Sequence, residues 1–126
     1  MPDARYRRSL AIFLGFVGMA ILAILSFLPN HDKVLLHTEG HFHRWGHLVA
    51  FAATTVLLAS SRRSLSARFA MASLVAFFGY CVEFLQHILF NNPLELYDIA
   101  TDTMGVLLGL VFVLLWVEIS RMRRFD

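Results

Sequence analysis

Residues 79–109 read GYCVEFLQHILFNNPLELYDIATDTMGVLLG, and the chain is arranged around them. Two apolar runs meet there at the turn Asn91-Asn92-Pro93, because proline disfavours the helical state at the residue before it. Each run is apolar enough to form a membrane-spanning helix, yet each carries acids that an ordinary lipid-facing helix excludes. The sequence therefore predicts a helical hairpin in the membrane with one polar face on each arm.

The polar residues of this segment recur at helical spacing. On the first arm they are three or four positions apart: Tyr80, Glu83, Gln86 and His87. On the second arm the polar and small residues fall at i, i+4, i+7 and i+11: Asp98, Asp102, Gly105 and Gly109. Such spacing places each set on one face of a helix. Because an ionisable group at membrane depth costs about 3 kcal/mol on insertion scales, it turns inward to a partner or a wet cavity.

The composition of the whole chain indicates an integral membrane protein. Hydrophobic residues make up 58% of its 126 residues, and the mean hydropathy is +0.64. The apolar residues are gathered in four blocks, at about 10–28, 45–60, 69–90 and 97–119. We therefore expect an all-α membrane protein with a four-transmembrane-helix bundle, formed by a single domain over residues 1–126. The second block is short for a span, so its helix is expected to begin nearer Phe42.

Basic residues are distributed unevenly between the two sides of these spans. Only Lys33 and Arg44 flank one side. The other side carries nine arginines: Arg5, Arg7, Arg8, Arg62, Arg63, Arg68, Arg121, Arg123 and Arg124. By the positive-inside rule both termini face the cytoplasm, which predicts a multi-pass protein of the cell membrane. The arginines lie in three short flanks and the aromatic residues in apolar runs, so no nucleic-acid partner is expected.

All six histidines and six of the nine acids then belong to the outer half of the molecule. We expect a recess there between spans two, three and four, whose ligand-binding candidates are Arg44, His47, Glu83, Gln86, His87, Asp98 and Asp102. Glu83 and Asp102 are predicted to reach similar depth, where they repel each other unless a cation or Arg44 intervenes. They are also the candidate catalytic residues. The alternative is that these groups only hydrogen-bond the helices together, as polar residues in spans often do.

Other kinds of site find less support in the sequence. His41, His43 and His47 have the spacing H-x-H-x3-H, which matches no tight metal signature, so no metal is expected. No glycine-rich phosphate loop or dinucleotide motif is present, and no cofactor is predicted. Cys81 is the only cysteine, which excludes an intrachain disulfide. Gly105 and Gly109 are predicted to form a helix-packing surface.

Two short patterns resemble the VanZ-like family of small bacterial membrane proteins. One is Asp98-x3-Asp102-x2-Gly105-x3-Gly109, preceded by Glu83-x2-Gln86. The other is Arg44-Trp45-Gly46-His47-Leu48-x2-Phe51, which is similar to the family's K-x-x-H-F-x-x-Y at the mouth of an earlier helix. The likeness covers roughly the last two thirds of the chain. The chain departs from the family at Asp102, where Asn is commoner, at Phe51, which replaces a Tyr, and at Asn92, near which the family usually has Arg.

The resemblance implies a link to the cell envelope and to glycopeptide-antibiotic tolerance. We therefore expect a protein that binds a polar head group or a lipid-linked cell-wall precursor in the outer leaflet. The partners expected are the lipid bilayer and such a ligand. A second reading is a membrane enzyme that uses Glu83 and Asp102 as an acid–base pair on a lipid-linked substrate. A third is a structural accessory subunit, either a homo-oligomer or bound to another membrane protein.

Overall fold

The computed structural model describes residues 3–28, 41–91 and 93–123, and of residues 41 and 42 it describes the backbone. These residues form four helices: α1 (Ala4–Ser26), α2 (His41–Ser60), α3 (Leu65–Phe90) and α4 (Leu96–Met122). Three of them, α1, α3 and α4, are long and apolar enough to cross a membrane. The prediction of an all-helical, multi-pass membrane protein is confirmed at this level. Lys33, Asn92 and Arg124, which were named above, lie outside the described residues, as do four members of the expected outer half: His31, Asp32, His37 and Glu39.

The helix that differs from the other three is α2. It is 20 residues long, and its first two turns carry His43, Arg44 and His47. These polar residues lower its hydropathy, so α2 is not among the helices apolar enough to span a membrane by composition. Its start at His41 agrees with the predicted start near Phe42.

Local sequence explains where α3 begins and ends. Ser64 is its N-cap, and the Ser64 hydroxyl accepts a hydrogen bond from the backbone N–H of Ala67 at 3.2 Å. Asn91 closes the helix in the left-handed conformation, with φ of 52°, which asparagine tolerates better than most residues. Pro93 follows and prevents continuation of the helix. The predicted hairpin turn thus lies between the two helices that carry the acids.

Contacts between helices fix their directions. Gly15 lies against Leu58 and Gly18 against Thr54, so α1 and α2 run antiparallel. The Gln86 side chain donates a hydrogen bond to the Ser26 carbonyl, which brings the C-terminal ends of α1 and α3 together. The first turns of α2 and α4 also meet, through contacts described below. The four helices therefore alternate in direction.

This alternation separates the charged residues between the two ends of the bundle. We call one the arginine end; it contains the start of α1, the end of α2, the start of α3 and the end of α4. Its described arginines are Arg5, Arg7, Arg8, Arg62, Arg63, Arg68, Arg121 and Arg123. The opposite end, which we call the polar end, contains the end of α1, the start of α2, the end of α3 and the start of α4.

The least apolar helix, α2, lies at the centre of the arrangement. It packs against α1, α3 and α4, whereas α1 and α4 do not touch each other within the described residues. The core around it includes Phe51, Leu58, Val75, Val106 and Leu110, all buried. The outer faces of the other helices leave many large apolar side chains exposed, among them Phe13, Ile24, Phe77, Leu107 and Leu115. A lipid environment accounts for that exposure, which a water-soluble monomer avoids.

Two glycines let α2 and α4 approach at backbone distance. A Cβ atom added to Gly105 would lie 2.5 Å from the carbonyl oxygen of Leu48, and one added to Gly109 would lie 2.5 Å from that of Ala52. Real Cβ atoms do not come so close, so neither position accepts a larger residue without separation of the helices. The prediction that Gly105 and Gly109 form a packing surface is confirmed.

Candidate functional site

The candidate site is formed by two histidine–aspartate pairs at the polar end. His43 and His47 are four residues apart on α2, and Asp98 and Asp102 are four residues apart on α4, so each set lies on one helix face. Because both helices begin at this end and pack closely, the two sets meet turn by turn. His47 Nδ1 lies 2.9 Å from Asp102 Oδ1, and His43 Nε2 lies 3.7 Å from Asp98 Oδ2.

The pair His47–Asp102 is the deeper and better formed of the two. Its side chains are 13% and 5% exposed, against 29% and 9% for His43 and Asp98. At 2.9 Å the contact is a hydrogen bond, in which Nδ1–H donates to the carboxylate, whereas 3.7 Å allows only an electrostatic contact. The centroids of the two imidazole rings are 4.3 Å apart, so the pairs form one continuous polar cluster.

α3 adds a third acid to this cluster. Glu83 is 7% exposed and faces the space between α3 and α4 near the two aspartates. Gly79, one turn earlier on α3, makes room for the aspartate: a Cβ atom there would lie 3.3 Å from Asp102 Oδ2 and 2.8 Å from Phe51 Cε1.

Glu95 lies at the rim of the site, just before α4 begins. The pKa of its carboxyl is raised from the ordinary value, first because the group is partly withdrawn from water and second because the Asp98 carboxylate lies beside it. His43 and Arg44 oppose this shift. Among the residues whose side chains are described, four acids therefore share this end of the bundle with three histidines and one arginine: Glu83, Glu95, Asp98 and Asp102 with His43, His47, His87 and Arg44.

Two other predicted site residues, Arg44 and Gln86, have contacts away from the two pairs. Arg44 is exposed, and its Cζ atom lies 5.8 Å from the centroid of the Tyr97 ring, a cation–π contact. The side chain that contacts Asp102 is therefore His47 and not Arg44. Gln86 fastens α3 to α1 through Ser26, which is the structural role considered for it above. His87 is exposed on α3, one turn beyond Glu83.

The structure thus brings together His47, Glu83, Asp98 and Asp102 from the predicted set and adds His43 and Phe51. A signal for His43 was present in the sequence, because its four-residue spacing from His47 matches that of Asp98 and Asp102. Phe51 carried a weaker signal as the next position on the same face. Its ring lies 6.1 Å from that of His47 at 23° and closes the site on the core side.

Metal ligands and hydroxyl nucleophiles are the other groups that a catalytic site could use. Among the described residues, no group of three or more His, Cys, Asp or Glu side chains is placed to hold a metal ion. The hydroxyls of Thr55, Thr101 and Thr103 each donate to a carbonyl of their own helix at 2.7–2.8 Å. Such bonds satisfy the hydroxyl in an apolar setting. Because the hydroxyl proton is donated to a backbone carbonyl, it is not hydrogen-bonded to a base.

What the cluster can do follows from its charges and hydrogen bonds. Glu83, Asp98 and Asp102 are acceptors for amines, hydroxyls or a cation, and the two imidazoles partly balance their charge. A histidine whose Nδ1–H is held by a carboxylate also presents its Nε2 as a base. Binding of a polar group and proton transfer are therefore both within its chemistry.

Comparisons with known proteins do not identify the chain: no family model, no curated protein and no solved structure matches it.

Proposed function

We propose that the chain is a four-span protein of the bacterial cell membrane, with both termini in the cytoplasm, that binds a polar head group or a lipid-linked cell-wall precursor at the outer leaflet. The ligand occupies the polar end between α2, α3 and α4. Glu83, Asp98 and Asp102 contact its amines or hydroxyls, and Arg44 at the rim contacts an anionic group such as a phosphate.

The observation that carries this proposal is the buried Glu83 beside two aspartates that already have histidine partners. A carboxylate at membrane depth is costly unless it has a partner, which supports a role for Glu83 in holding a ligand group. The position of the site supports the leaflet assigned. The site lies at the polar end, opposite the arginine end. Because the positive-inside rule places the arginine end in the cytoplasm, the polar end faces outward. The resemblance to VanZ-like proteins points to the same surface and to envelope lipids.

Native mass spectrometry of the protein in mild detergent tests the proposal. We expect retention of phosphatidylethanolamine or of an added lipid-linked cell-wall precursor, and little retention of phosphatidylcholine, whose head group cannot donate a hydrogen bond. Glu83→Gln should weaken this binding about 10- to 100-fold, because hydrogen bonds to charged groups contribute about 1.5–3 kcal/mol. Asp102→Asn tests the second acid and restores the residue commoner among VanZ-like proteins.

Glu118→Gln is the matched control, since it makes the same chemical change on an exposed residue near the arginine end. Binding should be unchanged in this variant. If Glu83→Gln binds the same lipids as the unaltered protein at equal expression, the polar face serves helix packing and the proposal is wrong. Full binding by Asp102→Asn would leave Glu83 as the essential acid.

One observation favours a second candidate, a membrane enzyme acting on a lipid-linked substrate. The 2.9 Å hydrogen bond from His47 Nδ1 to Asp102 is the arrangement of a general base oriented by a carboxylate. In this case the base is His47 and Asp102 positions it, a different assignment from the Glu83 and Asp102 pair. His47→Gln should then abolish product formation while leaving lipid retention in the mass spectrum. Loss of both together would favour binding alone.

A further inference from the structure

A second recess lies near the arginine end, between α2 and α4. It has a volume of about 680 Å³. Its apolar wall includes Phe112, Val113 and Trp116, and its polar lining consists of Ser60, Ser120 and Arg121. The rings of Phe112 and Trp116 are nearly parallel, at 15°, with centroids 6.5 Å apart, and they form a continuous aromatic side.

Polarity changes along this groove in one direction. On α4 the apolar lining residues come first, and Ser120 and Arg121 follow at the end of the helix; on α2, Ser60 likewise ends the helix. The apolar part therefore points to the middle of the bundle and the polar part to its arginine end. From Phe112 to Arg121 the helix advances about 13 Å, close to half of a bilayer core of about 30 Å.

We infer that this groove binds one acyl chain of an anionic phospholipid, with the phosphate at Arg121. The length, the apolar wall and the polar mouth match a lipid that lies along the helix in one leaflet. The charge at the mouth selects the head group, because Arg121 lines the groove and further arginines surround this end. Trp116 has the amphipathic ring typical of residues at the level of lipid head groups. The site is at the opposite end from the proposed ligand site and does not depend on it.

Trp116 provides the measurement. The chain has two tryptophans, so Trp45→Phe leaves Trp116 as the single fluorophore, and Trp45 lies at the polar end. The protein is reconstituted into vesicles of phosphatidylcholine and phosphatidylglycerol, with bromine on the acyl chains of one lipid or the other. Brominated phosphatidylglycerol should quench Trp116 at about fivefold lower mole fraction than brominated phosphatidylcholine, since one arginine near an anionic lipid gives about 1 kcal/mol.

Variants distinguish specific binding of the lipid in the groove from general electrostatic attraction to the arginine end. Arg121→Gln should remove the fivefold preference, and Arg121→Lys should keep it. Arg63→Gln makes the same charge change at an exposed residue of the same end that is not part of the groove lining, and it should also keep the preference. Equal quenching by the two brominated lipids would overturn the inference. So would an equal loss of preference in Arg63→Gln and Arg121→Gln.

Discussion

His47 and Asp102 are buried together because each satisfies the other. A buried carboxylate without a partner is strongly unfavourable, and the same holds for a charged imidazole, so removal of one member leaves a large penalty on its partner. His43 and Asp98 have the same chemistry one turn nearer the rim, but with a longer contact and a more exposed histidine. The two pairs therefore form a natural comparison at one site.

We expect Asp102→Ala to destabilise the protein by about 3 kcal/mol, because it leaves His47 buried without its hydrogen bond. Asp98→Ala removes a contact of 3.7 Å from a partly exposed histidine and should cost within about 1 kcal/mol. Thermal unfolding in detergent at pH 7.5 measures both. If the two variants lose equal stability, the depth of the pair does not determine its contribution.

Glu95 gives a prediction for pH dependence. Its pKa is raised above the ordinary value of 4.5, so the folded protein binds this proton more tightly than the unfolded chain does. Ionised Glu95 therefore lowers the free energy of unfolding at neutral pH, and this cost disappears as the pH falls below about 4.5. Glu95→Gln should raise the midpoint of thermal unfolding slightly at pH 7.5, because the free energy of unfolding increases by at most about 0.5 kcal/mol. The gain should shrink towards pH 4.5, and a gain that grows on acidification would show that the sign is wrong.

At the level of helices, the site depends on the close approach of α2 and α4. Gly105 and Gly109 have no side chain where the backbone of α2 passes, and this sets the distance at which His47 reaches Asp102. The glycines and the histidine–aspartate pairs therefore belong to one interface. A change at a glycine should be felt at the pairs one turn away.

Gly105→Ala should lower stability by about 1–3 kcal/mol, because its Cβ meets the Leu48 carbonyl at 2.5 Å and the backbone cannot move aside cheaply. Gly46→Ala is the matched control, since an added Cβ atom there meets nothing within 4 Å. Thermal unfolding of both variants in the same detergent measures the difference. A Gly105→Ala protein as stable as the unaltered one would mean that the helices do not pack this closely.

Much of this interface could be predicted from the sequence of the hairpin segment, residues 79–109, because helix faces and turns depend on local sequence. Helical spacing placed Glu83 on one face and Asp98 with Asp102 on another, and Pro93 located the turn between them. Partner choice was harder to predict, because it depends on the register between helices. Arg44 and His47 are both near the start of α2, and the sequence predicts that both of them balance the charge of the acids. Packing of Gly105 against Leu48 instead places His47 opposite Asp102, whereas Arg44 reaches out to Tyr97.

At the level of the whole molecule, the least apolar helix, α2, packs against all three of the more apolar ones. The outer faces of α1, α3 and α4 leave large apolar side chains exposed, as expected of helices that face lipid. Of the described residues, eight of the nine arginines collect at the arginine end, whereas four of the six acids and the histidines lie at the polar end. This polarity supports the proposed orientation, because the basic flanks of membrane proteins remain in the cytoplasm.

Reporter fusions test that orientation. Enzyme reporters fused after Arg63, Asn91 and Arg123 should report cytoplasmic, external and cytoplasmic locations, respectively. The split of nine basic residues against two is the physical reason. An external location after Arg123 would exclude both the four-span topology and the outer-leaflet site.

The separation of the paired residues in the chain also sets an order of events during synthesis. Asp102 follows His47 by 55 residues, so a ribosome adding about 5–20 residues per second makes the aspartate about 3–11 seconds after the histidine. During that interval His47 lacks Asp102, and only α1 and then α3 are available to pack against α2. The last helix to emerge, α4, therefore supplies the carboxylate that pairs with His47 on α2. With Cys81→Ala and His47→Cys, a nascent chain arrested after Asn91 should leave position 47 open to external thiol labelling, and the finished protein should protect it.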